Sequence, residues 1–203
     1  MLDPCRQGLD NSRQSHRTPP ALPRPLDTLT KAVSKRGSVT TGLVRVGPLM
    51  ALPDVLRGFG VEPDELLAPF ADPENILSFV TAGEILCRCV EISRCEHFGL
   101  LVGRRAGLSS LGPIGFLMQS APDVRSALEA LFRHLHVHDS GAVITLDSAG
   151  AYVSLGYTIL QHEVPCREQI LAIAMAIGLN ILRGLCGADW QPDETHFAFR
   201  RPR

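Results

Sequence analysis

The segment spanning residues 120–138 constrains the fold most, because it carries a complete helix signature. Pro122 suits the first turn of a helix, where its missing N–H is not needed, and Asp123 would meet the positive end of the helix dipole. Ser120 or Ala121 is then the predicted cap. The apolar residues that follow are spaced three or four positions apart: Val124, Ala127, Leu128, Leu131 and Leu135. The pattern therefore predicts an amphipathic helix with one face in a core.

The hydrophobic pattern then changes from the helix period to the strand period. Residues 139–141 form an Asp-Ser-Gly breaker, and residues 142–146 and 151–160 favour strands on either side of a turn at residues 147–150. These segments together predict an antiparallel β-hairpin. A chain with this order of elements must combine helices with an antiparallel sheet.

Two further helices are indicated on either side of this segment. Thr81 and Glu84 have the spacing of a capping box, which would start a helix over residues 82–94. A long apolar helix is predicted over residues 166–185, with Gly187 placed to end it. Both helices have apolar faces wide enough to contribute to the core.

Residues 195–200 alternate, with Phe197 and Phe199 on one side, and this pattern predicts a third strand. The predicted fold class is α+β. An N-terminal helical cluster packs beside a small antiparallel sheet, which is backed by the two longer helices that begin at Pro122 and Cys166.

The charge of the chain divides it into two regions. Residues 1–41 carry seven Lys or Arg against three Asp, a net charge of +4, and they lack a periodic apolar pattern, so we expect a disordered basic tail. A basic arm that touches DNA or an anionic surface is the alternative. Residues 42–203 carry 13 basic and 18 acidic residues, a net charge of −5, which argues against a nucleic-acid surface.

The sequence favours a cytoplasmic protein. It contains no uninterrupted apolar run of eighteen residues, and its N-terminus lacks the charged start and apolar stretch of a secretory signal, so we expect no membrane contact. The six cysteines lie in helical contexts, which favours reduced, mostly buried thiols: Cys5, Cys87, Cys89, Cys95, Cys166 and Cys186.

The sequence contains residue types that serve in metal binding and in catalysis. Four soft metal ligands could come from Cys87, Cys89, Cys95 and His97. Cys87 and Cys89, however, are two positions apart on a predicted helix and would point about 200° apart, so no zinc site is predicted. No nucleophile elbow, zinc-protease helix or phosphate-binding loop occurs in the sequence, so neither catalysis nor a cofactor is predicted.

Three histidines occupy every second position at the end of the predicted central helix: His134, His136 and His138. Histidines there can complement the helix dipole, and this is the favoured interpretation. His134 and His138 share a helix face and could instead contact a ligand.

The chain resembles a known family over about 150 residues. The string LGxxGxxMxSAPxxxxALxxLxRHxxxHDxGAxxxL, with FGLLVG upstream and DWxPxxxHF downstream, is similar to the N-terminal effector-binding, arabinose-binding-like domain of AraC-type bacterial transcription regulators. The resemblance runs from about Val44 to the C-terminus, so residues 42–203 are expected to form this domain. It also raises the alternative that translation starts later than Met1.

The resemblance implies a sensor and dimerisation domain that binds a small organic effector and controls DNA binding by helix-turn-helix units. Because the family pattern continues past Arg203, we expect a C-terminally truncated domain that reaches DNA only through a module absent from this chain. A homodimer, or a heterodimer with an intact regulator, is expected. The alternative is a truncated interaction protein that acts by forming mixed dimers with intact regulators.

The sequence also suggests where such an effector would bind. Aromatic side chains with a few polar groups typify small-molecule pockets. The candidate ligand-binding residues are Phe116, Met118, Gln119, His134, His138, Tyr152 and Tyr157. The alternative places Phe116, Met118 and Tyr152 in the core.

Overall fold

A computed structural model describes residues 42–63, 70 and 72–199, so the tail predicted over residues 1–41 lies outside the described residues. The helices are α1 (Leu52–Gly58), α2 (Phe79–Ser93), α3 (Phe98–Gly103), α4 (Pro113–Gln119), α5 (Val124–His138) and α6 (Arg167–Cys186), with 3-10 turns at Gly47–Leu49 and Leu108–Leu111. The strands are β1 (Leu43–Arg45), β2 (Ile76–Ser78), β3 (Ala142–Ala149) and β4 (Tyr152–Ile159). Mixed helix and strand of this kind confirm the predicted α+β class.

The described strands form two small antiparallel sheets. β1 pairs with β2 from Leu43 opposite Ser78 to Arg45 opposite Ile76. The predicted hairpin is confirmed, but β3 continues to Ala149, so the turn is shorter than expected and lies at residues 150–151. Gly150 has a φ of +63°, a conformation that favours glycine, which places the tight turn there.

The two sheets meet where α5 ends. The N–H of Ser140 donates to the carbonyl of Leu43 at 2.9 Å, so β1 is joined to the segment that leads into β3. A Cβ on Gly141 would lie 2.7 Å from the Cα of Gly42 and 2.6 Å from the ring of Phe79. Only glycine permits so close a backbone crossing, which fixes β1 against the end of α5.

Helices α2 and α5 begin at caps other than those predicted. Ser78 caps α2 and accepts from the N–H of Thr81 at 2.9 Å, so the helix starts three residues before the expected capping box at Thr81. Asp123 caps α5 and accepts from the N–H of Ser126 at 2.8 Å. The cap predicted at Ser120 or Ala121 is wrong, because the carboxylate of Asp123 is the nearer acceptor for the unpaired N–H groups of the first turn.

The predicted core faces of the two longer helices are confirmed. On α5 the buried apolar residues are Ala127, Leu128, Leu131 and Leu135, with Val124 half-buried. On α6 the buried residues include Ile170, Ile173, Ile177 and Ile181. Gly187 ends α6 with a φ of +112°, as its position in the sequence predicted.

Helix α3 packs closely on α6 because it carries glycines four residues apart. A Cβ on Gly99 would lie 2.4 Å from the carbonyl oxygen of Gln169, and one on Gly103 would lie 2.6 Å from that of Ile173. The buried Gln169 side chain bridges the two helices, since its oxygen accepts from the N–H of Gly99 at 2.7 Å and its nitrogen donates to the carbonyl of Glu96 at 2.8 Å. The close approach and the buried amide together fix how α3 lies on α6.

The third strand predicted over residues 195–200 is not formed by residues 195–199, and Arg200 lies outside the described residues. Phe197 and Phe199 instead approach each other, with ring centroids 5.2 Å apart. A strand requires a neighbour that pairs with its backbone, and none of the described strands pairs with residues 195–199.

Helix α6 is, among the described residues, the one helix whose length and composition would suffice to cross a membrane. The helix that packs in the core of a protein meets the same criterion. One face of α6 packs on α3, α2 and β4, and 39% of its most apolar stretch is buried.

Candidate functional site

A cleft of about 380 Å³ opens between β1, the two 3-10 turns and the end of α5. Its volume falls within the range of small-molecule sites in proteins. The polar part of the lining is Arg45, Glu74, Arg105, Ser109, Ser110 and His138. The larger apolar side chains are Met50, Leu111, Ile114 and Val137.

Arg45 joins the parts that make one wall of the cleft. Its guanidinium pairs with the Glu74 carboxylate and donates to the carbonyl of Val137 at 3.2 Å, and its side chain is 28% exposed. Arg45 therefore ties β1 to the segment before β2 and to the last turn of α5. A molecule in the cleft would contact all three.

His138 presents a neutral imidazole to the cleft. Burial, and to a smaller extent the positive charge of Arg45, lower the pKa of His138 to about 4. The prediction that this histidine lies at a helix end is confirmed, since it is the last residue of α5. A neutral ring, however, adds no positive charge to the carboxyl end of the helix.

The next residue after His138, Asp139, carries a buried carboxyl group. Burial raises the pKa of Asp139 to about 6, although hydrogen bonds from the Tyr157 hydroxyl and from the N–H of Gly141 act in the opposite direction. The Tyr157 hydroxyl donates to Asp139, and burial together with that carboxylate raises the pKa of Tyr157 well above its usual value. The hydrogen bond between Tyr157 and Asp139 links the end of α5 to β4.

The residues proposed from the sequence as a pocket do not meet in one place. Phe116 is 72% exposed and Gln119 is exposed on α4, while Met118 of the same helix is fully buried in the core. Neighbours two apart on a helix point in different directions, which explains the separation of Phe116 from Met118. The alternative that placed Met118 in the core is therefore correct for that residue.

The remaining predicted residues are also spread over several elements. Tyr152 is 68% exposed at the start of β4 and Tyr157 is half-buried, and their odd spacing puts them on opposite faces of the strand. His134 is half-buried on α5. Of the seven predicted residues, His138 alone lines the cleft, and ligand contact by the other six stays a prediction.

Sequence reasoning missed most of the cleft residues. Arg45, Glu74 and Arg105 are far apart in the chain, and none belongs to a local motif with a recognisable spacing. They come together because β1 is held against the end of α5. No sequence signal short of the tertiary fold would have identified them.

The cysteines depart from the prediction of reduced thiols. Cys87 of α2 forms a disulfide with Cys166, which precedes α6, and the two Cα atoms lie 5.5 Å apart. The spacing of 79 residues gave no indication of this contact. Cys89 and Cys95 are buried, as predicted, and Cys186 is half-buried, while Cys5 lies outside the described residues. Cys87 was one of the four residues considered as zinc ligands, and its sulfur is bonded to Cys166.

Comparison with known proteins identifies the family. The family model described as the arabinose-binding domain of AraC transcription regulator, N-terminal, matches residues 50–203. The chain is also 30% identical over 168 residues to the HTH-type transcriptional regulator VirS from two strains of Mycobacterium tuberculosis, CDC 1551 / Oshkosh and ATCC 25618 / H37Rv.

These alignments cover 78% of the chain and 48% of each relative, so the chain spans about half the length of the curated relatives it matches. The family match, by contrast, covers most of this chain and includes much of the lining of the cleft. The chain therefore belongs to the family of N-terminal arabinose-binding domains of AraC transcription regulators.

Proposed function

We propose that the chain senses a small organic effector that binds in the cleft beside Arg45 and His138. The observation that carries this proposal is the cleft itself, which is of ligand size and touches β1, the 3-10 turns and the end of α5 at once. A ligand there would strengthen the junction between β1 and α5, which Arg45 and the Ser140–Leu43 hydrogen bond already form. Ligand binding would then increase the fraction of molecules in which this junction is formed.

The signal would be delivered to helix-turn-helix units of the kind named in the mycobacterial relatives. The proposed role is regulatory and not catalytic, in the cytoplasm of a bacterium. It requires that the ligand bind one state of the junction more tightly than the other, since a ligand with equal affinity for both states shifts nothing.

Occlusion of the cleft tests the binding proposal. Ser109 is exposed on the lining, so Ser109→Trp should fill the cleft while leaving the core intact. Ser148→Trp on the exposed end of the hairpin is the matched control. A library of small organic compounds is screened by NMR against the 203-residue chain. We expect compounds that bind the native chain and the Ser148 variant but not the Ser109 variant. If every compound that binds also binds Ser109→Trp, the proposal is wrong.

We also propose that the chain forms dimers, either with itself or with a related regulator. Phe116 of α4 and Phe132 of α5, two neighbouring helices, are 72% and 57% exposed. Contiguous exposed apolar patches often mark interaction surfaces, and we propose that these two side chains belong to one such patch. Light scattering should give twice the chain mass for the native protein and a lower mass for Phe132→Asp. A monomeric native chain would exclude the homodimer.

A further inference from the structure

We infer that the effector is an organic monocarboxylate with an apolar body, held by Arg105 and by the apolar wall of the cleft. This inference rests on the proposed function, because it names the chemical class of ligand for the same cleft. It follows from the charge of the cleft, from its available hydrogen-bond donors and from its volume.

The cationic side chains of the lining differ in what they already bind. Arg45 is paired with Glu74, the one carboxylate among the described lining residues, so these two charges largely cancel. Arg105 follows α3, where its backbone N–H donates to the carbonyl of Val102 at 3.0 Å. Its guanidinium forms no hydrogen bond or ion pair with any residue in the described part of the chain. Among the described lining residues, Arg105 is thus the one cation without a carboxylate partner.

The donors and acceptors of the cleft favour an anion over other polar ligands. Arg105 offers up to five N–H donors in a geometry that matches a carboxylate, and the Ser109 hydroxyl lies on the same lining. Ser110 is already engaged, because its hydroxyl donates to the carbonyl of Gly107 at 2.6 Å. A cationic ligand would need an unpaired carboxylate or the face of a Phe, Tyr or Trp ring, and the described lining supplies neither.

A sugar or other polyol is disfavoured for a related reason. Its several hydroxyl groups must each find a partner when they are buried, since an unpaired buried hydroxyl is unfavourable. Part of the lining is instead apolar: Leu111 is 6% exposed, Ile114 is 3% exposed and Met50 is half-buried. A ligand with one polar end and an apolar body satisfies both the polar and the apolar parts of the lining.

The volume limits the size of that body. A cavity of about 150 Å³ holds one benzene molecule, so a cleft of 380 Å³ accommodates on the order of 15 non-hydrogen atoms. An aromatic or short aliphatic acid meets this limit, whereas a long acyl chain exceeds it. The cleft therefore fits a compact acid.

Three probes of one shape test the inference: 4-phenylbutyrate, its neutral amide and 4-phenylbutylamine. Their dissociation constants are measured by NMR titration of the 203-residue chain. Arg105 is exposed, so its charge is partly screened, and we expect the carboxylate to bind roughly five- to tenfold more tightly than the amide, with the amine weakest. Arg105→Leu should remove this preference.

Arg104→Leu is the matched control, because Arg104 is also an exposed arginine but does not line the cleft. It should leave the preference unchanged. Equal binding of the acid and the amide, or a preference that survives Arg105→Leu, would overturn the inference. If the amide binds equally well and Ser109→Trp abolishes its binding, the carboxylate assignment fails and the proposed sensor function stands. If none of the probes binds, the assignment fails too, and the library screen decides the proposed function separately.

Discussion

Two adjacent buried residues, His138 and Asp139, give the chain opposite dependences of stability on pH. The pKa of Asp139 is raised to about 6 in the folded chain, so its contribution to stability is full below about pH 4 and is lost as pH rises through 6. The pKa of His138 is lowered to about 4, so its contribution is full above about pH 6.5 and is lost as pH falls through 4. Each effect amounts to roughly 3 kcal/mol, and over the shared window they nearly cancel.

Replacing either residue should reveal how the other one alone makes the free energy of unfolding depend on pH. Asp139→Asn mimics the protonated acid, so the free energy of unfolding of this variant should fall, relative to the native chain, as pH decreases from 6.5 to 4. His138→Gln should show the opposite trend over the same range. Urea denaturation at several pH values gives both curves. Parallel curves for the native chain and the two variants would show that these groups do not titrate as the burial of their side chains requires.

At the scale of elements, the packing of α3 on α6 depends on a glycine. Gly103→Val should lower the free energy of unfolding by roughly 1 to 3 kcal/mol or more, because its Cβ would collide with the backbone of Ile173 and with the Cβ of Ala176, 2.8 Å away. Gly178→Ala in α6 is the control, since nothing lies within 4 Å of the added carbon. That change should raise stability by about 0.5 to 1 kcal/mol through helix propensity. A Gly103→Val variant as stable as the native chain would refute the close packing.

The disulfide between α2 and the start of α6 makes a second prediction at this scale. It closes a loop of 79 residues, so its loss in Cys87→Ser should lower stability by roughly 2 to 5 kcal/mol under oxidising conditions. Cys186→Ser, which leaves the disulfide intact, should have a smaller effect. Peptide mapping without reductant should recover Cys87 linked to Cys166. Recovery of Cys87 as a free thiol in the oxidised protein would contradict this assignment.

The elements could be predicted from the sequence to different degrees. Those with a long, regular apolar period, such as α5, α6 and the hairpin, were predicted because burial of one face dictates the period. The caps at Ser78 and Asp123 were missed, since several polar residues near each start could serve as the acceptor. The strand predicted at residues 195–200 failed because alternation does not supply a pairing partner.

At the scale of the whole molecule, the family could be recognised from the sequence and the cleft could not. The motif residues that carry the resemblance are mostly glycines and apolar residues that fix packing, as Gly99 and Gly103 do on α3. The cleft instead depends on polar residues from β1, from the segment before β2 and from the turn after α3. Tertiary contacts alone bring these residues together, so local sequence patterns could not identify them as one site.

The proposed sensor function requires that the effector bind in the cleft between β1 and the end of α5. The most direct test is a crystal structure of the 203-residue chain with the tightest compound from the library screen. We expect the compound to lie against Leu111 and Val137, within hydrogen-bond distance of Arg105. A compound bound instead against Phe116 or Tyr152, with the cleft beside Arg45 empty, would contradict it.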